Sequence, residues 1–351
     1  MKRVLFLTNI KTPYRVEFFN QLAKHCDLTV LYEKEKPSNR NADWMNTTEC
    51  DYKVKFLSGI SIKREHKLSL GACREVLADY DQVIIGCYNS PSQMLAILLL
   101  RLLGHPYDLN LDGELFLEGN SIKAWLKRFF LRGARNYYIA GEKSAESLRR
   151  ALGECHVIPY YFSSLTEESV KQNGNSVLDV PREKTVLVIG QNYDYKGMDI
   201  ALEAARMDPE GSYKFVGMGS RTEMFLKEHD VPSNVHVIPF LQKAELEEEY
   251  RHCGMLVLPS RQECWGLVIN EAASFGTPIV STWGSGAAVE FLADDYSQYL
   301  AKPGDAEDLL RCIRTLREDG EAAEFCDYIR NKAMKYTIEQ NVRCYQAVYS
   351  K

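Results

Sequence analysis

The sequence predicts an α/β fold made of two doubly wound, parallel-sheet halves. Three observations predict it. Short apolar runs alternate with segments of helical period along the chain. The alternation pauses once, at a polar stretch over residues 163–184, and then restarts. The chain has 351 residues, more than one hydrophobic core usually serves.

Taken in order, residues 4–8 read as a buried strand and 16–24 as a helix. Strands follow at 28–32 and 53–57, and a helix at 72–79. Residues 82–87 are a strand, 91–103 a helix and 107–111 a strand. Residues 121–132 read as a helix, 136–140 as a strand and 143–151 as a helix. Gly174, Asn175 and Pro181 mark the polar stretch as a linker. Strands between helices imply parallel sheets covered on both faces, so each half is Rossmann-like and a cleft lies between them. The expected divisions are residues 1–165, 182–335 and a C-terminal helical segment, 336–351.

Composition sets further bounds. With 45% hydrophobic and 26% charged residues the chain is an ordinary globular protein. The longest apolar run, residues 94–104, is interrupted by Arg101 and falls short of the roughly 20 residues that cross a bilayer. The start, MKRVLFLTNIKTPYR, suits a first strand better than a signal peptide. Ten cysteines without a C-x-x-C pair read as reduced thiols, so a cytoplasmic setting is expected. The net charge of -5 is unevenly spread: residues 1–150 carry 23 Lys and Arg against 17 Asp and Glu, and the rest carry 20 against 31. The split fits an N-terminal half that meets an anionic surface, with chance variation between domains as the plain alternative. Residues 121–135, SIKAWLKRFFLRGAR, from Ser121 to Arg135, interleave Lys123, Lys127, Arg128 and Arg132 with Trp125, Phe129 and Phe130. A basic helix of this kind lies on an anionic membrane or packs its apolar side on its own sheet; the charge split favours the membrane. No nucleic-acid partner is expected.

The most informative stretch is LPSRQECWGLVINEAASFGTPIVST, residues 258–282. Glu263 falls in the loop after a strand. Glu271 falls about two turns into the helix that Gly266 opens. Helix-start N–H groups near Trp265, Gly266, Leu267 and Val268 suit an anion, and a carboxylate on either side suits hydroxyls attached to that anion. A sugar linked to a diphosphate has this shape. Gly190, Gln191, Lys196 and Gly197 follow another strand, and a lysine beside a glycine suits phosphate. Gly217-Met218-Gly219 begins like a dinucleotide fingerprint, but Thr222 stands where the third glycine belongs, which argues against a dehydrogenase.

The glutamate pair resembles the E-x7-E signature of the retaining family-four glycosyltransferases, which have the GT-B fold. Residues 186–205, 214–220, 235–250 and 277–292 resemble that family's other strands, glycine turns and helices in the same order. The resemblance implies a retaining, metal-independent transfer from a nucleoside-diphosphate sugar, UDP more than GDP. No cofactor is implied. The acceptor it implies is a carbohydrate or lipid-linked carbohydrate. Pro13-Tyr14-Arg15 resembles members that assemble capsule and other surface polysaccharides, working peripherally at the inner face of the cell membrane.

By resemblance, Lys196 contacts the diphosphate and Glu271 the ribose hydroxyls. Glu263 faces the donor sugar and offsets positive charge at the anomeric carbon. Phe240 and Leu241 adjoin the base. The last helix crosses back to the first domain. Two positions depart from the pattern. Gln191 replaces a usual arginine and brings no charge, leaving Arg15, Lys11 and Arg261 as candidates to supply it. Asp112, followed by Gly113 and Glu114, replaces a usual histidine at the end of the 107–111 strand. Asp112 is the acceptor-side catalytic candidate, with Arg15 and Glu114 beside it. These departures leave open a GT-B protein that binds sugar nucleotide without transferring it, and a GT-B epimerase. Asp79 and Asp81 spell a D-x-D, but at the start of a strand, the wrong end for a ligand.

Overall fold

The computed structural model describes residues 1–34, 49–63, 66–86, 88–113, 121–177, 181–191, 193–318 and 322–349. The chain divides into two compact units, Met1–Phe162 with Ile338–Lys351, and Ser163–Thr337.

The first unit holds strands β1 (Arg3–Ile10), β2 (Asp27–Lys34), β3 (Lys53–Phe56), β4 (Ile60–Lys63), β5 (His66–Leu68), β6 (Gln82–Ile85), β7 (Asp108–Leu111), β8 (Tyr137–Ala140) and β9 (Val157–Tyr160). Seven of them form one sheet in the order β3-β2-β1-β6-β7-β8-β9, and β4 and β5 pair as a hairpin. The sheet's pairs are all parallel. Val4, Leu5, Phe6 and Leu7 are all fully buried, as a strand covered on both faces requires. Ala96, Ile97 and Leu100 of the helix Pro91–Leu102 pack into the core cluster on one face. The C-terminal helix Ile338–Tyr349 belongs to this unit, where Tyr345 stacks on Tyr138 at 4.2 Å.

The second unit holds β10 (Val186–Ile189), β11 (Tyr213–Val216), β12 (Val235–Ile238), β13 (Met255–Leu258), β14 (Ile279–Thr282) and β15 (Leu300–Ala301). They form one parallel sheet in the order β12-β11-β10-β13-β14-β15. Its core includes Val186, Leu187, Val188, Phe215, Leu256, Val257, Ile279 and Val280. The chain runs outward from β10 to β11 and β12 and then returns to the other side of β10 with β13. The strand order therefore reverses between β10 and β13, and ligands on such sheets bind beyond the strand ends at this reversal.

The two parallel sheets agree with the α/β expectation. Three local expectations need correction. Residues 163–184 are more than a linker: Glu167–Asn175 is a helix, capped by the Thr166 side chain, which accepts from the Ser169 N–H. The helix that carries Glu271 begins at Leu267, so Glu271 is its fifth residue, just over one turn in. The hairpin of β4 and β5, and strand β9, have no counterpart in the sequence expectations.

Candidate functional site

Lys196 and Glu263 meet at the reversal point of the second sheet. Lys196 ends a short 3-10 turn, Asp194–Lys196, after β10. Glu263 lies in the loop after β13, and its carboxylate accepts a hydrogen bond from the Lys196 ammonium. The two side chains keep 21% and 18% of their surface exposed, so the pair is sheltered yet reachable. Gly197 makes the meeting possible. Its φ is +69°, and a Cβ there would stand 2.1 Å from the Pro259 carbonyl oxygen. Only glycine allows this turn to lie against the end of β13. The Tyr195 carbonyl accepts the N–H groups of Arg261 (2.8 Å) and Gln262 (3.2 Å), which ties the lysine turn to the glutamate loop. On its far side Glu263 donates its N–H to Gly284 at 2.8 Å and accepts from the Gly286 N–H at 3.1 Å.

Gly266 then caps the helix Leu267–Ser274 with φ +105°. The N–H groups of Leu267 and Val268 fall in its first turn, where a helix has no acceptors of its own. Trp265 belongs to the core: its indole N–H donates to Asn270 at 2.9 Å. Glu271 accepts from the Ser164 hydroxyl at 3.0 Å and the Tyr250 hydroxyl at 3.2 Å. Surrounding protein raises its carboxyl pKa above the ordinary value, and the two hydroxyls offset part of that rise. Its surface is still partly accessible. Gly190 and Gln191 follow β10, with Gln191 exposed. Phe240 and Leu241 follow β12, and the Pro239 carbonyl accepts the Gly219 N–H at 2.7 Å, joining the β11 and β12 loops.

In the first unit, Asp112 stands just past β7 and is held from two sides. Arg15 donates to its Oδ2 at 2.5 Å. Tyr160 and Asn110 reach its Oδ1 at 3.2 and 3.3 Å. Asn110 in turn accepts from the Tyr345 hydroxyl of the C-terminal helix. Arg15 is buried, which alone would favour its neutral form, but the Asp112 charge outweighs this and raises its pKa. Glu114 lies outside the described residues. Asp79 and Asp81 precede β6, and both pair with Arg3. Among the described residues no group of three or more His, Cys, Asp or Glu side chains could hold a metal ion.

The helix Ile122–Leu131 turns much of its apolar surface outward. Ile122 is 79%, Trp125 58% and Phe129 41% exposed, and Leu102, at the end of the preceding helix, is 82% exposed. Arg101 fixes this helix by its last turn, donating to the carbonyls of Phe129 and Phe130 at 2.9 Å each. Arg101, Trp125, Arg128, Phe129 and Arg132 line a shallow pocket there.

Residues 171–336, which contain Lys196, Glu263 and Glu271, match the family model described as glycosyl transferases group 1. The match spans 166 of the 351 residues, just under half of the chain. An uncharacterized glycosyltransferase of Methanocaldococcus jannaschii is 24% identical over 276 residues, 75% of this chain and 70% of the relative. An uncharacterized glycosyltransferase of Haemophilus influenzae is 26% identical over 173 residues, which is 47% of this chain and only 48% of the relative. Among solved structures, Anabaena HepE in complex with UDP-glucose superposes with a TM-score of 0.70 over 100% of both chains, at 16% identity. That likeness is one of fold.

Within the matched segment the structure brings Lys196 and Glu263 together and places Glu271 on the adjoining helix. Of the cations left open for Gln191, Arg261 is held by both Asp199 oxygens, at 2.8 and 2.6 Å. Arg15 is held by Asp112 in the other unit. Sequence reasoning missed Ser164 and Tyr250 at Glu271, Tyr160 and Tyr345 behind Asp112, and Arg221, whose guanidinium sits 4.0 Å over the Tyr193 ring. For Arg221 a signal existed: two tyrosines in a polar turn, Tyr193-Asp194-Tyr195, next to Lys196.

Proposed function

We propose that the protein is a retaining, metal-independent glycosyltransferase that uses a nucleoside-diphosphate sugar, UDP in preference to GDP. The observation that carries the reading is the Lys196–Glu263 pair at the β10/β13 reversal, beside the start of the helix that bears Glu271. In this reading Lys196 and the N–H groups of Leu267 and Val268 receive the diphosphate as it leaves. Glu271 takes the ribose hydroxyls, and Pro239, Phe240 and Leu241 adjoin the base. Glu263 faces the anomeric carbon and stabilises its positive charge. The acceptor hydroxyl attacks from the face the diphosphate leaves, and its proton passes to a diphosphate oxygen, so configuration is kept. Asp112, oriented by Arg15, binds the acceptor in the first unit. The acceptor is a carbohydrate or lipid-linked carbohydrate of surface polysaccharide assembly. The outward apolar and basic helix Ile122–Leu131 supports work at an anionic membrane face.

The test is incubation with UDP-sugars and a lipid-linked saccharide, with the product's anomeric configuration read by NMR. Retained transfer is expected, together with losses of roughly a hundred-fold or more in Lys196→Ala and Glu263→Ala. Unchanged turnover in both variants overturns the assignment. UDP binding by calorimetry with no transfer to any acceptor supports the binding-only alternative instead.

A further inference from the structure

We infer that Asn9, Thr12, Glu33 and Gln93 form a subsite in the first unit for the hydroxyl groups of an uncharged acceptor sugar; the inference rests on the glycosyltransferase reading. The first unit repeats the topology that positions Lys196 and Glu263 in the second. Its chain runs outward from β1 to β2 and β3 and returns to the other side of β1 with β6. Ligands on such a sheet bind beyond the strand ends at this reversal, between β1 and β6. Asn9 is the last residue but one of β1, and Glu33 the last but one of β2. Thr12 stands between β1 and the helix Pro13–Ala23. Gln93 falls in the first turn of Pro91–Leu102, the helix that follows β6.

Glu33 and Gln93 are fully buried, yet each is only half paired. Glu33 Oε1 accepts from the Ser90 hydroxyl and from Gln93 Nε2, the latter at 2.9 Å. Gln93 Nε2 also donates to Asn9 Oδ1 at 2.9 Å, which uses both amide protons. The remaining oxygens, Glu33 Oε2 and Gln93 Oε1, have no hydrogen-bond partner among the described residues. Nor has the buried Thr12 hydroxyl, although Thr12 stands at an N-cap, where a threonine side chain ordinarily caps its helix. Seven buried side-chain atoms among the described residues lack a partner, and three of them belong to this one sheet edge. A buried oxygen without a donor costs stability, so a cluster of them calls for a ligand that brings hydrogen. Asn9, which is partly exposed, is the outer end of the network.

The unpaired atoms select the ligand. The carboxylate oxygen of Glu33 and the amide oxygen of Gln93 can only accept, and the Thr12 hydroxyl can donate or accept. Sugar hydroxyls offer donors on neighbouring ring carbons. A phosphate or carboxylate offers acceptors alone and meets the Glu33 charge, which repels it. The sugar held at this edge is therefore neutral. Only β6 separates β1 from β7, so the strand end that carries Asp112 lies about 10 Å from that of Asn9. An acceptor of more than one ring reaches both.

The experiment is saturation-transfer NMR on the full chain with UDP present. The probes are glucose, galactose, mannose and N-acetylglucosamine, with glucuronic acid and glucose phosphate as anionic counterparts. At least one neutral sugar is expected to bind, more tightly than either anion by about ten-fold or more. Thr12→Val and Glu33→Gln are each expected to weaken it by about ten-fold. Without sugar, Thr12→Val is expected to raise the melting temperature by about 2–4 °C, because a methyl replaces a buried hydroxyl that has no partner. A hydroxyl that serves folding alone predicts a lower melting temperature, and that result overturns the inference. So does equal binding of anions and neutral sugars, unchanged sugar binding in both variants, or no binding by any of the four neutral sugars. Calorimetry with UDP keeps the two readings apart. Both variants are expected to bind UDP as the unaltered protein does. Absence of UDP binding by the unaltered protein overturns the donor reading and leaves the sugar result to decide the subsite by itself.

Discussion

Glu263 and Lys196 neutralise one another, and this sets opposite expectations for binding and for turnover. A diphosphate that approaches Lys196 also meets the Glu263 charge, which repels it and competes for the ammonium. In the proposed mechanism the same charge is useful only when the anomeric carbon becomes positive. Glu263→Gln is therefore expected to bind UDP more tightly, by roughly three- to ten-fold, while transfer falls by about a hundred-fold or more. Calorimetry and initial rates check the two halves separately, and weaker UDP binding in this variant would count against the proposed placement. Glu271 makes a second residue-scale case. Its folded carboxyl pKa is raised by burial, whereas in the unfolded chain it is ordinary. Below the ordinary value both states hold the proton and nothing is lost. As pH climbs through the raised folded value, ionisation costs the folded state more than the unfolded one, so stability falls. Glu271→Gln removes this titration. The change in hydrogen bonding to Ser164 and Tyr250 supplies a constant offset, and on top of it the variant's melting temperature relative to the unaltered protein is expected to improve as pH rises from acid to neutral. A difference independent of pH would contradict this account.

At the scale of elements, turns and strand ends set the site. The turn at Gly197 is the tightest of these controls, because a Cβ there would press on the Pro259 carbonyl. Gly197→Ala is expected to cost about 1–3 kcal/mol of stability in a urea titration. It should also push Lys196 away from Glu263 and reduce transfer by about a hundred-fold. Most strands were legible because parallel strands buried on both faces are continuous apolar runs, as in residues 186–189, VLVI. The helix Glu167–Asn175 was not, because EESVKQNGN is polar and ends near a glycine. What holds it is tertiary: Val170 and Gly174 are buried, and Gly174 lies against Arg330. The loops after β10 and β13 were legible as local motifs. The side chains that hold the candidate site residues come from far along the chain: Ser164 and Glu271 are 107 residues apart, and in the first unit Arg15 and Asp112 are 97 apart. No local pattern specifies such pairs, and the site's supporting shell was hidden for that reason.

At the scale of the whole molecule, the charge split and the exposed helix meet on one unit. The N-terminal half carries the positive excess, and the helix Ile122–Leu131 presents Trp125 and Phe129 outward among basic residues. Exposed aromatic side chains beside cations fit the interface of an anionic bilayer, where the rings enter the headgroup region and the cations meet lipid phosphates. No helix among the described residues is long and apolar enough to cross a membrane, so attachment through this helix would be to the surface. Sedimentation with phosphatidylglycerol vesicles is expected to carry the protein down at low salt and to release much of it at about 0.5 M salt, where screening shortens electrostatic reach. Neutral phosphatidylcholine vesicles should bind it weakly. Trp125→Ala with Phe129→Ala should reduce binding to the anionic vesicles by about ten-fold or more, through loss of buried apolar area. Both side chains are exposed, so folding should be little affected, and UDP affinity measured in the same double variant should stay unchanged. Equal binding to neutral and anionic vesicles, or full binding by the double variant, would remove this helix as the membrane contact and leave the donor chemistry standing by itself.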